Sequence, residues 1–120
     1  MDRRELGRVA EALVATRLAR CGYRIVARNV RLQRGELDLV VRRGDRLWFV
    51  ETKCRARDDV GPPHRAVDAR KKAALFAAAR EYVVRSGHRG DWGFLVASVI
   101  AGGGRAASVR ILRVTIAPPR

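Results

Sequence analysis

The sequence predicts one α/β domain: a mixed β-sheet with a helix on each face, in the order α-β-β-β-α-β-β. Three observations carry this prediction. Helical and strand periodicities alternate along the chain in that order. The turn signal Arg43-Gly44-Asp45-Arg46 joins the second and third strand segments into a hairpin. A long Ala-rich helical segment separates the third strand from the fourth. Such a connection forms a right-handed crossover and leaves its two strands parallel neighbours. The 120 residues form a single domain, 1–120, with no repeat and no dividing linker.

Asp2 to Cys21 reads as a helix, with Asp2 and Glu5 as a capping pair and Gly22 as the stop. Leu6, Ala10, Leu13, Val14 and Cys21 share one apolar face, and Glu11 lies at its edge. Strands follow at Tyr23–Val30, Glu36–Arg42 and Arg46–Lys53. Ala56 to His64, with Pro62-Pro63, reads as a loop. Arg65 to Ser86 is the second helix, with Val67, Ala74, Phe76, Ala78, Tyr82 and Val83 as its apolar material and Gly87 as its stop. Trp92 to Ala101 is almost free of polar residues and is expected to be buried on both faces. Ala107 to Ile116 alternates as an edge strand does.

Composition narrows the function. Lys and Arg total 26 against 12 Asp and Glu, a net charge of +14 present in both halves of the chain. That excess points to a polyanionic partner, nucleic acid first, with solubility alone as the alternative. The longest uncharged run, Trp92 to Gly104, is too short to span a bilayer. The opening Met1-Asp2-Arg3-Arg4-Glu5 leads into no apolar signal core. Cys21 and Cys54 form neither a disulfide framework nor a metal spacing, and both are expected as buried thiols in a reduced, cytoplasmic protein. Only three of the cations are lysines: Lys53, Lys71 and Lys72.

The informative segments are Gly35-Glu36-Leu37-Asp38 and Glu51-Thr52-Lys53. Residues two apart in a strand share a face, so Glu36 is expected beside Asp38 and Glu51 beside Lys53. A two- or four-residue hairpin loop sets Asp38 opposite Glu51 and Glu36 opposite Lys53; a three-residue loop with a bulge shifts the pairing by one. Opposed residues have Cβ atoms about 4.5–5.5 Å apart, and two carboxylates at that distance repel. A hard divalent cation such as Mg²⁺ relieves the conflict through oxygen ligands and water. With a lysine alongside on a basic chain, the set suits phosphodiester hydrolysis. The alternative is a solvated salt-bridge face. Against it, the acids interrupt the apolar runs Leu37-Asp38-Leu39-Val40-Val41 and Leu47-Trp48-Phe49-Val50-Glu51.

An acid on an early helix, an Asp in a strand and Glu-x-Lys one hairpin later resemble the PD-(D/E)XK nuclease superfamily. Gly35 to Leu39, Phe49 to Arg55 and Ala66 to Lys72, with Gly22-Tyr23 and Asn29, resemble more closely the YraN family of small, Holliday-junction-resolvase-like bacterial proteins. The resemblance covers nearly the whole chain, from Gly7 through Tyr82. It implies a restriction-endonuclease-like core and a Mg²⁺- or Mn²⁺-dependent endonuclease, with structured or branched DNA as a substrate class. It further implies metal ligation by Asp38, Glu51 and the Thr52 backbone carbonyl, with Glu36 as an accessory ligand. Lys53 would be the catalytic lysine, Glu11 the supporting helix acid, and the location the bacterial cytoplasm. Two positions depart from the family pattern: Leu37 stands for the superfamily's Pro, and Gly93-Phe94-Leu95 stands where the family has an Arg-Phe-Asp-like segment.

Arg55, Arg57, Lys71 and Lys72 are candidate phosphate contacts, each with a solvated surface role as the alternative. Tyr82, Trp48 and Trp92 are expected in the core. His64, Asp58 and Asp59 are read as ordinary loop residues, and Asp68 as a helix N-terminal acid. A homodimer is compatible with cleaving both strands of a symmetric junction. The competing functions are a nuclease-like fold that binds nucleic acid with little catalysis, and an RNA-processing nuclease using the same residues.

Overall fold

A computed structural model describes residues 2–56, 68–102 and 105–118. Its elements are α1 (Arg3–Arg20), β1 (Arg24–Leu32), β2 (Gly35–Arg43), β3 (Arg46–Ala56), α2 (Ala69–Ser86), β4 (Trp92–Gly102) and β5 (Arg105–Val114). The five strands form one sheet in the order β1-β2-β3-β4-β5. β3 and β4 are parallel and every other pair is antiparallel, as the long helical connection requires.

The helix ends follow from local chemistry. The Asp2 carboxylate accepts the Glu5 N–H at 2.9 Å, and the Asp68 carboxylate accepts the Lys71 N–H at 2.8 Å. Because Asp68 is the extended N-cap, α2 begins at Ala69 rather than at Arg65. Gly87 closes α2 in the left-handed conformation, φ 73°. Cys21, expected to be buried, caps α1 and is exposed; Cys54 is half-buried.

Each helix covers one sheet face. Against α1, Ala10, Val14, Ala15 and Leu18 pack on Leu39, Val41, Trp48, Val50, Leu95, Ala97 and Val99. Against α2, Leu75, Ala78 and Ala79 pack on Leu37, Val40, Leu47, Phe49, Phe94 and Val96. Leu6 and Leu13, expected on the core face of α1, are instead exposed flanks. Small residues at Ala10 and Ala15 let the helix lie close to the sheet. On α2, Ala78, Phe76, Tyr82 and Val83 pack in this core as read, Leu75 and Ala79 join them, Ala74 is exposed, and Val67 lies outside the described residues. β4 is buried on both faces from Phe94 through Ile100, as expected.

Two hairpins set the register near the site. Gly44, φ 60°, occupies the first position of the two-residue β2–β3 turn, where a hairpin turn of the II′ kind needs glycine. At the β1–β2 turn, the N–H groups of Gln33 and Arg34 donate to the Glu81 carboxylate of α2 at 3.1 and 2.8 Å. Glu81 is held in turn by Arg85 at 3.1 Å.

Strand β2 breaks its alternation at Asp38. Leu37 packs on the α2 side, yet Leu39, two residues on, packs on the α1 side. The β2–β3 ladder runs from Arg43↔Arg46 to Leu39↔Val50 and stops one pair short of Asp38 and Glu51.

Candidate metal and phosphate site

The predicted register is present through Leu39↔Val50, so Asp38 and Glu51 lie just beyond the last paired residues. Continued by the same register, Thr52 would meet Leu37. Instead the Thr52 N–H donates to the Asp38 carboxylate at 2.9 Å. The side chain has taken the donor that a main-chain acceptor would otherwise receive. The N–H and C=O of one strand residue point to the same neighbour, so the Thr52 carbonyl leaves β3 on the Asp38 side.

Glu51 is 6% exposed, a carboxylate inside the α2-side core. Burial and then repulsion from Asp38 push its pKa up to about 7, against the pull of Lys71 and Lys53. Burial also raises Asp38, with Glu36 adding to it; the Thr52 N–H, Lys71 and Lys53 oppose the rise. Glu11 is raised by burial, then by Asp38 and Glu36, and lowered by a hydrogen bond from the Asn29 side chain. Glu11 and Glu51 therefore each feel the Asp38 carboxylate at the break in β2.

The side chains reach Asp38 from both layers. From α1, Glu11 and Arg8 line a cavity of about 150 Å³ with Arg28, Asn29 and Asp38. From α2, the Lys71 ammonium lies 3.3 Å from Glu51 Oε1. Lys71 reaches there because it stands one turn before buried Leu75, on the stripe that continues through Ala78, Ala79 and Tyr82. Lys53 is exposed, and its charge is felt by both Asp38 and Glu51.

Glu36 departs from expectation. The break at Asp38 removes the two-residue argument that placed it on the Asp38 face. It is exposed, pairs with Arg31 of β1, and acts on Asp38 and Glu11 through its charge. Lys72 and Arg55 are half-buried beside the site elements, and Arg57 and His64 lie outside the described residues.

Arg8, Arg28 and Asn29 enter the site without having been assigned a role from sequence. Asn29 carried a usable signal. It is an unfavourable strand residue that tolerates the left-handed region, and it sits there at φ 50° opposite Asp38. Ser98, the β4 partner of Lys53, is 1% exposed, and its hydroxyl has no hydrogen-bond partner among the described residues.

The donor set fits a hard cation. Among the described residues no group of three or more His, Cys, Asp and Glu side chains is arranged to hold a metal. One or two carboxylates with several waters and a substrate phosphate are instead the usual complement for Mg²⁺, and the Thr52 carbonyl offers a further oxygen on the Asp38 side. Asp38 and Glu51 are both held back from ionising, which a divalent charge would reverse.

Residues 10–101, which include every acid of the site, match the model of a family described as "Uncharacterised protein family UPF0102". The chain belongs to the UPF0102 family. A UPF0102 protein of Chlorobium chlorochromatii is 42% identical over 95 residues, covering 79% of this chain and 74% of that one. One from Solibacter usitatus is 50% identical over 82 residues, covering 67% and 62%. One from Moorella thermoacetica is 39% identical over 90 residues, covering 75% of each. Membership agrees with the YraN resemblance of the sequence motifs. This UPF0102 chain's departure at Gly93 has a packing reason: a Cβ there would lie 2.9 Å from the Trp48 ring. That ring is covered by the Arg46 and Arg113 guanidinium groups, 4.7 and 5.3 Å from its centroid.

Proposed function

We propose that this chain is a divalent-metal-dependent phosphodiester hydrolase acting on nucleic acid, with DNA, including branched DNA, as the substrate class. The observation that carries the reading is the meeting of half-buried Asp38 with buried Glu51, each held back from ionising by burial, with Lys71 and Lys53 beside them. A chain of net charge +14 gives such a site a polyanion to act on.

Asp38, Glu51 and the Thr52 carbonyl would hold Mg²⁺ or Mn²⁺, which supplies Lewis-acid polarisation of the scissile phosphate and its water. Lys53, at the exposed rim, orients the attacking water and offsets charge developing on the phosphate. Glu11, which lines the α1-side cavity with Asp38, would support the water around such an ion, with Glu36 adding negative potential nearby. Arg55, Arg57 and Lys72 hold the flanking backbone, and Arg8 and Arg28 extend that grip to the α1 side. A cut in both strands of a symmetric junction requires two such sites, hence a homodimer. The exposed stripe Leu6, Val9 and Leu13 on α1 supports that arrangement.

A second reading, nucleic-acid binding without catalysis, draws on the Lys71–Glu51 ion pair, because that pair already neutralises one acid. A panel of linear, nicked, flapped and four-way DNA, plus RNA, separates the two when run with Mg²⁺, Mn²⁺ or EDTA. The expected result is metal-dependent cleavage that Asp38→Asn reduces by about 10²-fold or more, the loss typical of removing a key electrostatic group. Binding that survives Asp38→Asn, with no cutting by the parent protein, decides for the second reading. Preferential cutting of RNA reassigns the substrate while keeping the site.

A further inference from the structure

Lys71 has a role that a phosphate contact does not describe. Its ammonium is 3.3 Å from Glu51 Oε1, while the Glu51 side chain is only 7% exposed. It lowers the proton affinity of both Asp38 and Glu51. Its backbone is fixed too: the Lys71 N–H is held by the Asp68 cap, and the next turn is anchored by buried Leu75. The lysine side chain itself remains 47% exposed, so it has room to swing away.

We infer that Lys71 is the resident counter-cation of the Asp38–Glu51 pair, occupying the cation's side of Glu51 until a divalent ion replaces it. This rests on the metal-dependent reading of the site. A buried carboxylate with a second, half-buried one beside it needs positive charge, and the metal-free fold draws it from α2. When the divalent ion arrives, the ammonium and the ion compete for Glu51. The long lysine stem then moves into solvent beside the metal, where a substrate phosphate stands. One residue thus stabilises the empty site and meets the substrate in the loaded one. Lys53 does not duplicate this role, because it approaches from the exposed rim of β3.

The test combines Mn²⁺ binding, followed by electron paramagnetic resonance, with melting in EDTA. Removing a competing unit charge at contact distance is expected to tighten Mn²⁺ binding by Lys71→Met about tenfold over wild type. In EDTA the same variant melts about 3 °C lower, and this loss shrinks in a Glu51→Gln background to the part that Lys71 contributes at Asp38. Lys71→Arg, which keeps the charge, holds the wild-type melting temperature. Arg70→Met removes the same charge from the same helical turn and leaves both readouts unchanged. The assignment is overturned if wild type binds Mn²⁺ and Lys71→Met binds it no more tightly. It is equally overturned if the melting loss persists undiminished with Glu51→Gln. If neither protein binds Mn²⁺, the metal reading itself fails and the competition falls with it.

Discussion

At Glu51, burial and the neighbouring Asp38 carboxylate push in the same direction, and two lysines recover only part of the difference. A carboxyl whose pKa rises on folding binds more protons in the native state than in the unfolded one. Stability therefore falls as pH climbs from the ordinary value of 4.5 to about 7. Over that span the metal-free protein loses up to about 3 kcal/mol at this residue, less where solvent reaches the pair. Asp38 and Glu11 are raised as well and add to the same slope. Urea unfolding in EDTA between pH 5 and pH 8 should show a falling midpoint, and Glu51→Gln should flatten the profile. A rising midpoint would contradict this account of the site. Mg²⁺ added at pH 8 should restore the loss, because the cation replaces the missing protons.

Between elements, packing decided what periodicity left open. The hairpin register was legible because Gly44 and Asp45 dictate a tight turn, and Leu39↔Val50 obeys it. The parallel β3–β4 pairing was legible from the length of the connection. The break at Asp38 was not, since strict alternation has no place for a side chain that replaces a main-chain acceptor. The contact of Lys71 with Glu51 was not legible for a related reason. With Ala at so many positions, α2 offers several candidate apolar stripes, and only contact with the sheet selects the one through Leu75. Gly93 shows packing acting on identity: Trp48 lies against it, stacked by Arg46 and Arg113. Gly93→Ala is expected to destabilise the fold by about 1–3 kcal/mol through overpacking, measured by chemical denaturation. Asp38 and Glu51 sit further along their strands, so Mn²⁺ binding should survive that substitution. An unchanged midpoint would mean that the Trp48 ring is free to retreat.

For the whole molecule, charge is the dominant property. With +14 on 120 residues, binding to DNA should rest chiefly on counterion release. If six or more phosphates are contacted, affinity should drop about 10³-fold or more between 50 and 200 mM salt. Fluorescence anisotropy on random-sequence DNA measures this, and a salt-independent affinity would remove the electrostatic basis for a nucleic-acid partner. No described helix is long and apolar enough to cross a membrane. The arrangement of α2 carries a mechanical consequence. Lys71 grips the acid pair at one end, and ten positions later Glu81 clasps two amides of the β1–β2 bend, about 15 Å along the axis. The helix is a strut bolted at both ends. With the lysine bolt released, the Glu81 clasp and buried Leu75 still hold the rod in place, so the movement would be confined to one side chain.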